Sequence, residues 1–513
     1  MHVTDVNVMR EMDRRAITEY GIPGILLMEN AAMAVMKNLD LSMNYYVLVC
    51  GPGNNGGDGF ALAWKLKNLN KEVDVFYVSD GKEPTGDAKV FYDIIKHTEV
   101  PVEVLGDSLN LWSFVEALRD ADVVVDALLG TGISREITPL FREVIEYMND
   151  FSSKIVSVDI PSGLSADSGN PMPIAVMASK TVTFEAIKMG LLSYSAIPYL
   201  GQLIMEEIGI PKKLKEELAD SVCLTDKNDV MKILPEREIT GHKNHYGRVL
   251  VVAGSRGLTG AAMLSSEAAL ATGSGLVTLC SYNETMGILV PRLTEIMSLY
   301  ENNLEEGVRR ADIVAFGPGL GATRDTLKFL LRVIKTLQEE EKVDSTLVID
   351  ADGLNVLEGK CEILKPLCFH VVITPHPGEM ARLTGKSKKE IEENRIDVAR
   401  DFAKEYGVIV VLKGYHTVIT DGEKVYINST GSSAMAQGGM GDALTGMIAS
   451  LSGQGISAFE AAVLGTYIHG CIGDQLSNKR YSVKASEIIE NIPLYMKELQ
   501  SRKERAEKES ELR

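Results

Sequence analysis

YYVLVCGPGNNGGDGFALAWKL, Tyr45 to Leu66, decides how the rest of the chain reads. It opens as an apolar, β-branched run of strand length and closes as an amphipathic helical pattern, with Gly51, Gly53, Gly56, Gly57 and Gly59 between. A strand that passes through glycines into a helix is the opening unit of a parallel α/β sheet, whose ligands bind beyond the strand's carboxyl end. Such glycines let backbone amides approach an anion, and the helix start adds a positive dipole end. The spacing matches neither GxGxxG nor GxxxxGK[ST]. A plain turn with Asp58 as helix cap is the simpler alternative, but the adjacent Asn54 and Asn55 carry hard carbonyl oxygens suited to ligand or cation contacts.

Further strand-like runs alternate with amphipathic stretches: EVDVFYV (72–78), DVVVDALLG (122–130) and KIVSVDIPSG (154–163). The pattern pauses at the charge-dense IGIPKKLKEELADSV (208–222) and resumes at RVLVVAGS (248–255), which puts a boundary near residue 220. A second series follows: GLVTLCS (275–281), DIVAFGPGLG (312–321), TLVIDADGLN (346–355), VVITPHPGE (371–379) and VIVVLKGYHTVIT (408–420). The expected fold class is α/β, with two αβα domains over 1–220 and 221–500, the first a Rossmann-like doubly wound sheet, and a solvated tail over 501–513. No internal repeat relates the halves.

Composition narrows the function. With 513 residues, 45% hydrophobic and 24% charged, the chain has core enough for two domains and is neither disordered nor collagen-like. A net charge of −18 disfavours nucleic acid as a partner. The six cysteines form no CxxC pair and read as reduced. The acids and paired arginines of MHVTDVNVMREMDRR break any signal-peptide core, and no apolar run reaches the ~18 residues of a membrane span, so a cytoplasmic enzyme without a membrane partner is expected.

Acids mark two more strand ends in the first domain: Asp126 precedes the Gly130 and Gly132 turn, and Asp159 and Ser162 sit at a third. Each alone fits a cap or turn residue. Three in one sheet converge on one site, and Arg135 and Glu136, directly after the second glycine turn, read as ordinary surface charges or as part of a loop whose spacing lets it close over a bound nucleotide.

Taken in order, MREMDRRAITEYGIPGILLMENAA, NNGGDG, VDALLGTG and VDIPSG resemble the YjeF N-terminal family, the epimerase domain of NAD(P)H-hydrate repair enzymes. The resemblance implies that Asn54, Asn55, Gly56, Gly57 and Asp58, with Gly130, Thr131, Gly132, Ile133, Ser134, Arg135 and Glu136, hold hydrated NADH or NADPH. It further implies that Asn55, Asp126 and Ser162 ligate potassium and that Asp159 sits beside the reacting ring, where a carboxylate suits proton transfer between the R and S epimers.

In the second domain GSSAMAQGGMGDALTGMIASL, Gly431 to Leu451, places Leu444, Met447, Ile448 and Leu451 at helical spacing, so a helix whose first turn begins at Asp442 is expected. Gly438, Gly439 and Gly441 then form an amide nest for an anion. Asp442 reads as a cap or, since a carboxylate beside an anion hole repels phosphate unless it works as a base or meets a cation, as a chemical group. Lys413, closing an apolar strand, suggests a phosphate partner or a snorkelling strand end. His376 is pinned between two prolines; Asp350 and Asp352 read as magnesium ligands or as a turn that positions a helix.

The nest resembles the GxGD signature of the ribokinase superfamily. With HKNHYGRVLVVAGS, FGPGLG, DADGLN, TPHPGEMARL and LKGYHTVI the chain is similar to the ADP/ATP-dependent NAD(P)H-hydrate dehydratases, which implies a ribokinase-like second domain. By that resemblance Gly319, His376 and Asp442 meet the hydrated dinucleotide. Lys413, Gly414, Tyr415, His416 and Thr417, with Ser432, Ser433, Ala434, Met435, Ala436, Gln437, Gly438, Gly439, Met440 and Gly441, hold ADP or ATP with Mg2+. A homo-oligomer is implied as well. The combined expectation is epimerisation of R and S hydrates followed by ADP-dependent dehydration of the S form. The alternative is a ribokinase-like hydroxyl kinase fused to a non-catalytic binding or scaffold domain.

Overall fold

The computed structural model describes residues 2–79, 81–106, 111–132, 137–218, 222–365 and 367–511. The chain forms two compact units, Met1–Asp220 and Ser221–Arg513. In the first, β1 (Val3–Thr4) precedes β2 (Tyr45–Cys50), β3 (Glu72–Val78), β4 (Val102–Leu105), β5 (Val123–Ala127), β6 (Ile155–Val158), β7 (Lys180–Phe184), β8 (Ile187–Lys188) and β9 (Gln202–Glu206). β1 pairs with β8, and the other seven make one parallel sheet in the order β4-β3-β2-β5-β6-β7-β9.

Parallel strands covered on both faces need apolar residues at consecutive positions. Val47, Val49 and Val124 pack with Phe114, Val144 and Ile145 on one face, while Leu48, Val123 and Val125 pack with Val35, Phe60 and Leu62 on the other. Helices α1 (Val6–Thr18), α2 (Gly24–Lys37) and α3 (Asn54–Asn68) belong to the second of these layers. Strand order reverses between β2 and β5, so the turns after them flank a crevice at the switch point.

The second unit holds β10 (Val222–Leu224), β11 (Arg248–Val252), β12 (Leu276–Ser281), β13 (Met297–Tyr300), β14 (Ile313–Phe316), β15 (Thr346–Ile349), β16 (His370–Ile373), β17 (Ile409–Leu412), β18 (Thr417–Thr420) and β19 (Val425–Asn428). They form one sheet, β10-β19-β18-β17-β16-β15-β14-β11-β12-β13, parallel except where β18 runs against both neighbours. Its reversal lies between β11 and β14, at the FGPGLG turn. The helix Met440–Gly453 packs on β11, β14 and β15. The last helix, Ala485–Glu511, is exposed over residues 504–509. Among the described residues no helix is long and apolar enough to cross a membrane.

Two local expectations change. The Asn-Gly segment is no loop: α3 starts at Asn54, so Asn54 to Gly57 form its first turn and Asp58 follows inside the helix rather than capping it. Its glycines serve packing more than anion approach. A Cβ at Gly56 would lie 1.8 Å from the Gly51 carbonyl oxygen, and at Gly59 2.6 Å from Cys50 Sγ; only Gly53 faces open space. The helix at the nest starts at Met440, two residues before Asp442, because Gly439 at φ 92° forms its N-terminal boundary.

Gly51→Ala would drive a methyl to 1.9 Å from the Leu128 carbonyl oxygen. The expected cost is about 3 kcal/mol of first-unit stability. Urea unfolding followed by the fluorescence of Trp64 and Trp112, both in that unit, measures it.

Candidate active sites

In the first unit the switch-point crevice opens into a cavity of about 880 Å³. Asn54, Asn55, Asp58, Gly130, Thr131, Gly132 and Asp159 all line it; Gly56 and Gly57 lie behind the wall. Ile133, Ser134, Arg135 and Glu136 lie outside the described residues. Its size suits a ligand larger than one nicotinamide ring.

Asp126 and Ser162 are fully buried. Asp126 accepts from Ser157 Oγ at 2.7 Å, Ser162 N at 2.8 Å, Ser162 Oγ at 2.5 Å and Leu128 N at 3.3 Å. Burial raises its carboxyl above the usual range against the pull of those donors, and among the described residues no basic side chain pairs with it. Asn55 Nδ2 donates to the Leu129 carbonyl at 3.1 Å, while Asn55 Oδ1 is buried with no hydrogen-bond partner among the described residues. A buried uncompensated carboxylate beside an orphaned amide oxygen is an oxygen-donor set that fits a monovalent cation.

Asp159 follows β6 with its backbone at φ 63°, a left-handed conformation that aspartate tolerates better than most residues. Its Oδ1 accepts from Lys188 Nζ at 2.5 Å and Thr183 Oγ1 at 3.1 Å. Lys188 is 1% exposed and donates also to Thr183 Oγ1 at 3.0 Å and the Phe184 carbonyl at 3.1 Å. Sequence reasoning missed this lysine; a lone cation inside the apolar segment EAIKMGLL was the available signal. It also missed Asp13, which lines the same cavity from α1. Burial lifts Asp13 to about 6, opposed by Lys188 and reinforced by Asp159 and Glu185, and burial with Asp159 and Asp13 nearby pushes Asp58 well above the usual carboxyl range.

In the second unit Gly319, Asp350, His376 and Lys413 follow the carboxyl ends of β14, β15, β16 and β17, four neighbours in the sheet. Lys413 Nζ donates to Asp350 Oδ1 at 2.7 Å, and Thr445 Oγ1 to Asp350 Oδ2 at 2.9 Å. Lys413 therefore does not snorkel, and it is Asp350 that compensates its charge. Burial works to raise Asp350, but Lys413 holds it below its ordinary value. The same pairing speaks against Asp350 as a magnesium ligand, and Asp352 accepts from Gly321 N at 2.8 Å at the start of the short helix Asp352–Asn355. DADGLN is thus a helix-positioning turn. Gly441 brings the nest to this pair, since a Cβ there would stand 3.0 Å from Lys413 Nζ.

Asp442 is the third residue of its helix and caps nothing. Burial and the nearby Asp350 push its carboxyl up to about 6 against the pull of Lys413. His376 caps the helix Pro377–Thr384: Nδ1 accepts from Gly378 N at 2.9 Å and Glu379 N at 3.3 Å, and Glu379 Oε2 accepts from His376 N at 2.8 Å. The neutral ring then carries its hydrogen on Nε2. Burial and Lys413 keep His376 below its ordinary value. Lys413 to His416 form the turn between β17 and β18, where the Tyr415 and His416 rings lie 4.0 Å apart and Tyr415 is half-exposed. Ser432 Oγ is buried without a hydrogen-bond partner among the described residues.

Two family models match the chain: the YjeF-related protein N-terminus over residues 25–190 and NAD(P)H-hydrate dehydratase over residues 249–494. A bifunctional NAD(P)H-hydrate repair enzyme of Moorella thermoacetica is 38% identical over 98% of this chain and 97% of its own length. The Escherichia coli enzyme of that name is 34% identical over 87% and 84%. Among solved structures, a ribokinase-like superfamily protein of Enterococcus faecalis superposes with a TM-score of 0.50 at 28% identity, covering 55% of this chain and 97% of that one. The second unit is ribokinase-like.

Asp350→Asn would leave the buried Lys413 ammonium without a counter-charge. The expected loss is about 3–5 kcal/mol, read from the urea midpoint of the full chain by circular dichroism.

Proposed function

The chain belongs to the bifunctional NAD(P)H-hydrate repair enzymes, and from that premise we propose that its first cavity epimerises R and S hydrates of NADH and NADPH while its second site dehydrates the S form with ADP. The observation that carries this reading is that each unit has, at the carboxyl edge of its sheet, a carboxylate in the same site as a helix N-terminus, Asp159 with α3 in one and Asp442 in the first turn of its own helix in the other.

In the first site the amides at the start of α3, where Gly53, Asn54 and Asn55 line the cavity, receive phosphate oxygens, and Asp159 exchanges a proton with the oxygen on the hydrated carbon. Asn55, Asp126 and Ser162 would hold potassium, which would supply the positive charge that the buried carboxylate lacks. A silent scaffold has no physical need of the Asp159–Lys188 pair or the orphaned Asn55 oxygen.

In the second site Gly438 to Gly441 and Lys413 receive the nucleotide phosphates, Ser432 Oγ gains its missing partner there, and Tyr415 offers the base a flat apolar face. Magnesium would come bound to the nucleotide phosphates and offset the charge that develops on the transferring group. Gly319 and the Nε2 hydrogen of His376 orient the hydrated ring. Asp442 takes the proton of the ring hydroxyl, whose oxygen accepts the terminal phosphoryl group of ADP, releasing AMP. Phosphate then leaves with the ring C–O electron pair, the neighbouring ring carbon gives its proton to water, and the C–H electron pair restores the double bond. ATP would serve the same geometry. A hydroxyl kinase would stop at the stable phosphate ester.

Mixed hydrated NADH with ADP and magnesium should regain full reduced-nicotinamide absorbance. With Asp159→Asn the recovery should stall near half, because only the S epimer is consumed; full recovery at the normal rate would refute the first-site assignment.

Asp442 must be ionised to accept a proton, so dehydratase kcat/KM should fall about tenfold per pH unit below about 6. Asp442→Asn should lower it at least about 10²-fold and remove that limb, as seen in initial rates on the S epimer.

A further inference from the structure

Helix α1 shows the first cavity one stripe, Met9, Arg10, Asp13 and Ile17, while Met12 and Ala16 are buried in the core. Asp13 is the one acid in that stripe, set between Met9 and Ile17. Asp13 is an exposed residue of α1 that lines the cavity, with protein packed against part of its side chain. Among the described residues nothing hydrogen-bonds or ion-pairs with its carboxyl; the acid that caps α1 is Asp5. Lys188, the nearest cation to act on it, has its three hydrogens committed to Asp159, Thr183 and Phe184. A carboxyl held at a cavity wall without a structural partner is free for chemistry.

We propose that Asp13 is the proton donor of the epimerase site, the counterpart on the helical wall of Asp159 at the strand ends. This rests on the epimerase reading above. The hydroxyl of the hydrated ring sits on C6, which is bonded to the ring nitrogen N1. Asp13 gives its proton to that hydroxyl, the C6–O bond breaks, water leaves, and the N1 lone pair forms a C6=N1 double bond. Water then adds to the other face of C6, the double-bond electrons return to N1, and the extra proton of the added water passes to Asp159. The opposite direction exchanges the two roles, and the open cavity lets each carboxyl reset with solvent. Protein around the carboxyl, reinforced by Asp159 and Glu185, lifts Asp13 to about 6 against the pull of Lys188 even though the residue keeps an exposed surface, so it retains part of a proton at a pH where a fully solvated aspartate has almost none. Arg10, on the next turn of α1, donates to the Thr131 carbonyl.

The test follows R and S hydrates of NADH by chromatography, with potassium present and no nucleotide, so the second site is silent. A wild-type chain that fails to interconvert them sinks the epimerase reading itself. If it does interconvert them, Asp13→Asn is expected to lose at least a hundredfold in kcat with KM within about twofold, and Asp13→Glu to recover part of the loss. A kcat within threefold of wild type, or a loss confined to KM, overturns the proposal. Should tryptophan fluorescence show Asp13→Asn unfolded, the wild-type pH profile decides. Epimerisation falling above pH 6 to 7, with that limb displaced in Asp13→Glu, supports the donor; a flat alkaline side refutes it.

Discussion

Each sheet ends in a buried aspartate whose oxygens are nearly saturated, and the shape of each site depends on it. Asp126, at the end of β5, draws in Ser157 of β6, the Ser162 turn and the Leu128 amide, so two strand ends and two turns become one rigid floor. Asp350, after β15, does the same for Lys413 beyond β17 and Thr445 of the nest helix. A charge this deep is tolerated only while its partners stay in place. The partners therefore inherit their positions from it, and the reactive groups are arranged around a fixed point.

The two floors differ in how charge is balanced. In the second unit a lysine cancels the buried aspartate, leaving Asp442 as the carboxyl that titrates near neutrality. In the first unit the lysine goes to Asp159 instead, and Asp126 is left with neutral donors and an unsatisfied amide oxygen nearby. Among the described residues one buried aspartate is thus left without a cation, whereas the other has its own lysine. Asp13 and Asp58 follow from the same arithmetic: with Lys188 committed, further carboxyls facing that cavity are driven toward the protonated form.

Much of this was readable in one dimension. Buried parallel strands are continuous apolar runs, so β2, β5, β6, β11, β14 and β15 stood out, together with the polar residues after them. Strands β4, β9 and β13 lie at or toward sheet edges, with burial too partial to stamp an apolar run on the sequence. VIVVLKGYHTVIT looked like one run and is two antiparallel strands around the Lys413 to His416 turn. Lys188 and Asp13 were hidden because their meaning comes from pairings across the fold, which neither spacing nor period encodes. The glycines of NNGGDG were seen but misread: close helix-on-strand packing and anion approach favour the same residue.

His376 gives the second site an unequal neighbour for Asp442. Its Nδ1 is occupied by two backbone amides, so adding a proton there means uncapping the helix Pro377–Thr384. Burial and Lys413 keep the imidazole below its ordinary value, which favours the neutral ring that donates through Nε2. Acid reaches this end of the sheet through Asp442, lifted to about 6, and through Glu379, raised by burial beside the ring, while the capped imidazole keeps its orientation.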